Sequence, residues 1–231
     1  MATVTDEKQL AGCIDHTLLA ATTTSEQIKQ LCQEAKNYGF CAVSVNPRWV
    51  TLAAEKLHGS KVKVGGVVSL PLGADSTKIK VAQAKDCIFA GADEIDMVAD
   101  LAAIIEGDSK YLSNQLQAIL KVCRSMRPKV LLKVIIESAA LTREQKIFAC
   151  QIADKCGVDF VKTSTGMNPA GGATVEDVKL MKEAAPHCKV KAAGGIRTAK
   201  QAVELLEAGA ERIGTSSGPQ IINQFRAGQI Q

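Results

Sequence analysis

The stretch "VLLKVIIESAALTREQKIFACQIADKCGVDFVKTST" runs from Val130 to Thr165. It opens on an apolar run broken only by Lys133 and closes on a second run rich in Val, Phe and Thr that contains Lys162. Between them Thr142 starts an amphipathic segment that Gly157 stops, the punctuation of a helix. A strand, a helix and a strand over this length form a parallel crossover unit.

The same alternation recurs along the chain. Strand-like runs begin near Cys13 ("CIDHTLL"), Cys41 ("CAVSVN"), Val62 ("VKVGGVVS"), Glu94 ("EIDMVA"), Lys189 ("KVKAAGG") and Arg212 ("RIGTSS"). With the two already quoted they make eight. Helical patterns lie between them: Ser25 reads as the N-cap of a segment that ends at Gly39, Thr174 opens one that ends before Pro186, and Thr198 opens another. Eight strand–helix units predict a single (β/α)₈ barrel over residues 1–231. A doubly wound open sheet is the alternative, but no G-x-G-x-x-G follows the first strand.

Composition narrows the function. The 231 residues are 46% hydrophobic and only 3% aromatic, so the core must be aliphatic. A net charge of +4 without basic runs favours small anionic ligands and argues against nucleic acid. The N-terminal "MATVTDEKQLAG" does not read as a signal peptide, and no apolar run approaches a membrane span. The eight cysteines form no C-x-x-C pair and sit in apolar segments, which suits a reducing cytosol. The three histidines, His16, His58 and His187, do not make a metal site; only His16 could reach a catalytic mouth, and a hydrogen-bonded structural role suits it better.

The charges on the strands carry the chemistry. Side chains alternate faces along a strand, and alternate strands fill each layer of a barrel interior. If Asp96, Lys133, Lys162 and Lys191 all point inward, Asp96 and Lys162 share one layer and Lys133 and Lys191 the next. Three ammonium groups would then crowd one carboxylate. Burial and neighbouring cations both favour a neutral amine, which is a nucleophile toward carbonyls and forms Schiff bases. The glycine-rich "AGGIRT" (Ala193–Thr198) and "GTSSG" (Gly214–Gly218) follow the seventh and eighth strands, the frequent phosphate site of such barrels.

The motifs "IDHTLL", "ADEIDMV", "LLKVIIE", "VDFVKTSTG" and "VKVKAAGGIRT" closely resemble those of the deoxyribose-phosphate aldolases, over Ile14 to Ser217. The resemblance implies a class I aldolase, active without metal or other cofactor, that reversibly cleaves 2-deoxy-D-ribose 5-phosphate to acetaldehyde and D-glyceraldehyde 3-phosphate. It implies Lys162 as the Schiff-base former, Lys191 as the neighbour that depresses its pKa, and Asp96 as the proton-transfer residue, with cleavage read as C3–C4. Lys133 becomes a further contact, and Asp15 and Thr17 match substrate-hydroxyl and relay positions. Thr165, Gly166, Gly194, Gly195, Arg197, Gly214, Ser216 and Ser217 fall where the family holds substrate and phosphate. A homo-oligomer is expected, because barrels commonly pair through helices or loops.

Departures from the family pattern also carry expectations. The chain ends "FRAGQIQ", without the tyrosine that assists some members. Ser44 stands where some members carry an aldehyde-trapping cysteine, and Asp100 where an asparagine is common. Another phosphate-binding barrel enzyme, either a different class I aldolase or a sugar-phosphate isomerase, is the competing enzyme reading; a sugar-phosphate binder without turnover is the non-enzyme one.

Overall fold

The computed structural model describes residues 4–229. Its strands are β1 (Ile14–Leu18), β2 (Ala42–Val45), β3 (Lys63–Val68), β4 (Glu94–Val98), β5 (Leu131–Ile135), β6 (Phe160–Lys162), β7 (Lys189–Ala193) and β8 (Arg212–Thr215). They pair in sequence order, all parallel, and β8 returns to β1, closing the barrel. Helix α1 (Glu7–Ala11) precedes β1. Around the barrel come α2 (Ser25–Tyr38), α3 (Val50–Leu57), α4 (Thr77–Phe89), the consecutive α5 (Leu101–Glu106) and α6 (Ser109–Ser125), α7 (Arg143–Cys156), α8 (Val175–Ala184), α9 (Ala199–Glu207) and α10 (Gly218–Arg226). All eight strands expected from the sequence are present.

The helix boundaries follow from local chemistry. The hydroxyls of Thr24, Thr142 and Thr198 each accept the backbone N–H three residues on, and the glutamine there bonds back to the cap's own N–H. Each such reciprocal cap stabilises by about 1 kcal/mol. For α2 this corrects the expectation that Ser25 caps: Ser25 is the first helical residue, because the spacing to Gln27 fits Thr24. Gly39 and Gly157 end α2 and α7 in the left-handed conformation, at φ 72° and 76°.

Strand alternation divides the packing in two. One phase (Val43, Ile95, Met97, Leu132, Val134, Val161, Val190, Ile213) faces outward and is buried against Ile28, Leu116, Ile119, Ala153, Met181 and Ala202 of the helices. This aliphatic shell is the main hydrophobic core. His16 belongs to it: its Nε2 lies 2.8 Å from Glu34 Oε2 on α2, and its ring meets Phe40 edge-on at 5.2 Å. It therefore points away from the mouth, contrary to the expectation that His16 could reach it, since it is out of phase with Asp15 and Thr17. The other phase faces inward, and much of it is charged.

Gly66 on β3 shows how tightly the shell is packed. A Cβ there would stand 2.9 Å from both Cβ and Sγ of buried Cys87 on α4. Gly66→Ala is expected to destabilise the protein by about 1–3 kcal/mol, measured as a lowered midpoint in urea denaturation.

Candidate active site

Layers of bulky branched aliphatic side chains normally fill a barrel of this size. Here the inward phase brings Asp15 of β1, Glu94 and Asp96 of β4, Lys133 of β5, Lys162 of β6, Lys191 of β7 and Arg212 of β8 into one connected ionic cluster. Asp96 is its hub. Its Oδ2 accepts hydrogen bonds from Lys162 Nζ at 2.7 Å and Lys191 Nζ at 2.8 Å. Its Oδ1 lies 3.0 Å from Lys133 Nζ, an ion contact whose angle falls short of a hydrogen bond.

Beneath the hub sits a second carboxylate. Asp15 Oδ2 is 2.6 Å from Lys191 Nζ and accepts from Lys133 at 3.0 Å, while Oδ1 accepts from Arg212 at 2.5 Å. Arg212 also donates to Glu94 Oε1 at 3.2 Å, and Glu94 Oε2 lies 2.5 Å from Lys133 Nζ. The pairing corrects the expected composition of three ammonium groups around one carboxylate: three carboxylates and a guanidinium are present. Charges this deeply buried persist only when each is paired.

The cluster polarises its members differently. Burial lowers the Lys162 amine from 10.5 to about 8, the Asp96 carboxylate opposes that fall, and the Lys191 and Lys133 cations add to it. Burial works against the charge on Lys133 as well, but Asp15, Asp96 and Glu94 outweigh it and hold the ammonium well above its ordinary range. Burial likewise opposes ionisation of Asp96, yet its three lysines keep the carboxyl well below the usual range. Lys162 is thus a strand lysine that gives up its proton far more readily than a free one.

Above the cluster a cavity of about 410 Å³ opens at the C-terminal ends of the strands. Of the residues singled out from the sequence, Thr17, Lys162, Thr165, Gly166, Gly194, Gly195, Arg197, Gly214 and Ser216 line it. Asp15, Asp96, Lys133 and Lys191 lie beneath, fully buried. Ser217 is not on the wall; its N–H is given to Thr215 Oγ1 at 2.9 Å. Gly166, Gly194 and Gly195 adopt φ of 80°, 94° and 76°, open to glycine and strained for other residues. A Cβ on Gly172 would come within 2.1 Å of Gly194 O, so the loops after β6 and β7 press together main chain to main chain. The rim therefore offers backbone, with Arg197 exposed at its edge and the start of α10 nearby.

Three contributors escaped the sequence reading. Glu94 and Arg212 share the inward phase of Asp96 and Gly214, and that register was the available signal. Glu137, at φ 55° just past β5, accepts the Thr165 N–H at 3.1 Å and fixes the loop that follows Lys162. Ser44 is buried with its hydroxyl unpartnered, in register with Thr17 and Gly65. Asp100, the other departure, caps α5 by accepting the Ala103 N–H at 3.0 Å. Among the described residues no group of His, Cys, Asp and Glu is arranged to hold a metal ion, and no helix is long and apolar enough to cross a membrane.

A closed (β/α)₈ barrel whose C-terminal cavity ends on a buried lysine of lowered basicity is the layout of an enzyme that works on carbonyl compounds through an amine. Comparison with known proteins gives the family. The chain belongs to the DeoC/LacD family of aldolases, whose model matches residues 10–224. It is 48% identical to the deoxyribose-phosphate aldolase of Geobacillus sp. (strain WCH70), over 94% of this chain and 96% of that one. It is 50% identical to the enzyme of the same name from Thermococcus gammatolerans, at the same coverages. The solved deoxyribose-phosphate aldolase of Aeropyrum pernix, described as a tetramer, superposes with a TM-score of 0.89 at 30% identity, over 96% of this chain and 93% of that one.

Gly214 gives room to the lysine beside the hub. A Cβ at this position would meet Lys191 Cε and Ala193 Cβ, each at 3.0 Å. Gly214→Ala is expected to push the Lys191 chain off Asp96, lower kcat by about 10- to 100-fold in a steady-state aldolase assay, and lower the thermal midpoint as the buried pair loosens.

Proposed function

We propose that the chain is a class I aldolase that reversibly cleaves 2-deoxy-D-ribose 5-phosphate to acetaldehyde and D-glyceraldehyde 3-phosphate, with Lys162 as the Schiff-base lysine. The observation that carries this reading is that Lys162 alone of the buried lysines lines the cavity, with its amine lowered to about 8. Its relatives of 48% and 50% identity bear the same enzyme name over nearly the whole chain.

The Lys162 nitrogen adds to C1 of the open-chain sugar phosphate, and loss of water leaves an iminium. A base takes the proton of the C3 hydroxyl, the C2–C3 bond breaks, and its electron pair enters the iminium to give an enamine. Glyceraldehyde 3-phosphate leaves. Protonation of the enamine carbon and hydrolysis release acetaldehyde and restore the amine. Carbon counting corrects the C3–C4 assignment drawn from the motifs: acetaldehyde takes C1 and C2, and the phosphorylated product takes the other three carbons. The electron sink is the iminium, so the sequence requires no further cofactor.

Asp96 bonds Lys162 and Lys191 through one oxygen, which suits it to exchange protons between the amine and a water at the reacting carbon. The phosphate falls to the N–H groups of Gly194, Gly195 and Ser216 and to Arg197, on the positive-φ rim. Asp15 and Lys133 keep their charges satisfied by one another and support the hub from below. Self-association follows the tetrameric Aeropyrum pernix relative, and eight unpaired cysteines suit a cytosolic protein.

Reduction of the enzyme with borohydride in the presence of acetaldehyde is expected to leave a two-carbon adduct on Lys162, read by peptide mass. The neutral amine is the reactant, so the trapping rate should rise with pH and reach half its plateau at about 8. Lys162→Ala should abolish the adduct and reduce turnover by at least roughly a thousandfold. An adduct confined to Lys191 or Lys133 would overturn the assignment, and a turnover without any adduct would favour an isomerase. The buried Ser44 hydroxyl is a poor nucleophile where a thiolate would be a good one. The half-life of activity in acetaldehyde is therefore expected to shorten in Ser44→Cys.

A further inference from the structure

The cluster contains more basic groups than acidic ones. Four cations (Lys133, Lys162, Lys191, Arg212) face three carboxylates (Asp15, Glu94, Asp96), all joined by contacts of 3.2 Å or less. Beyond the cluster, β2 and β3 add only the uncharged Ser44, Gly65 and Val67, and one further buried carboxylate, Glu137, stands at the mouth outside the cluster's contacts. At the lower rim exposed Lys189 is paired with Glu211, and at the mouth Glu137 is bonded to the Thr165 N–H while Arg197 is exposed.

An arginine in a protein does not deprotonate. As pH rises, the first proton to leave the cluster therefore comes from a lysine. The contacts rank them: Lys133 touches three carboxylates, Lys191 two and Lys162 one. Resting on the Schiff-base reading of Lys162, we infer that the Glu94–Arg212 pair on the barrel floor helps set where the first proton leaves, Arg212 supplying a fixed cation that favours loss of a proton from the cluster and Glu94 tying Lys133 so that the amine that loses it is Lys162. Neither residue reaches the cavity, so both are positioning residues that act through charge. The fixed guanidinium on the floor eases loss of the Lys162 proton, in addition to the effect of the lysine beside it.

The inference gives opposite signs for two substitutions. Arg212→Met equalises the charges and lets Lys162 keep its proton to higher pH. Glu94→Gln, nearly isosteric, removes an anion and moves the loss of the proton to lower pH. The double variant Glu94→Gln/Arg212→Met restores the original excess. For a unit charge joined to Lys162 through shared carboxylates in the same buried cluster, each single shift should be about one pH unit.

The measurement is the initial rate at which acetaldehyde and cyanoborohydride ethylate Lys162 across a pH series, normalised to exposed Lys61 in the same digest. No sugar phosphate is present, so substrate identity does not enter. The expected result is a midpoint raised in Arg212→Met, lowered in Glu94→Gln and returned to the wild-type value in the double variant. A purely structural role would lower the plateau at every pH without moving the midpoint, and superimposable midpoints in folded variants would overturn the inference. Should Arg212→Met fail to fold by circular dichroism, Glu94→Gln decides by whether its midpoint falls. A wild-type protein that forms no Lys162 adduct would remove the Schiff-base reading, and this inference with it.

Discussion

One carboxylate oxygen organises this barrel. Asp96 Oδ2 accepts from Lys162 and Lys191 together, so it ties β6 and β7 to β4 across the interior. Without that anion two ammonium groups would face each other in a buried site. Without the lysines the carboxylate would stand buried and unpaired. Either defect costs several kcal/mol, so the geometry of the three strands and the protonation of their side chains are parts of one equilibrium. The outer aliphatic shell makes such an interior tolerable: the helices bury enough apolar surface to offset a charged centre.

The interior is graded along the barrel axis. At the floor Arg212 pairs with Asp15 and Glu94, and Lys133 with three carboxylates, so the charges there are permanent. One layer up, Lys162 has a single carboxylate and a lowered basicity. At the rim, polarity is carried chiefly by main-chain groups on glycine loops. Fixed charge, labile proton and open backbone thus succeed one another from the floor to the cavity, and each tier sets the conditions for the next.

Much of this was legible in the sequence because strand periodicity and helix punctuation are local. The eight strands, the closing glycines at 39 and 157 and the inward lysines all follow from spacing within a few residues. Ser25 was misread by one position because Ser and Thr are both good caps and only the reciprocal bond to Gln27 separates them. Glu94 and Arg212 were passed over for a different reason. A charged residue that opens a strand ordinarily lies in solvent, and only the strand register, a non-local property, carries these two into the interior. His16 shows the reverse case: it has chemistry in its side chain but stands in the outward phase.

Lys162 is also the one lysine of the cluster that touches the cavity, while Lys133 and Lys191 are sealed below it. An electrophile diffusing in from solution therefore meets a single amine, whatever the intrinsic reactivity of the other two. Selectivity among three chemically identical groups is achieved by access, in the way a lock exposes only one pin to the key. A carbonyl too large for the cavity is turned away before reactivity is tested, and a small one has no second nitrogen to choose.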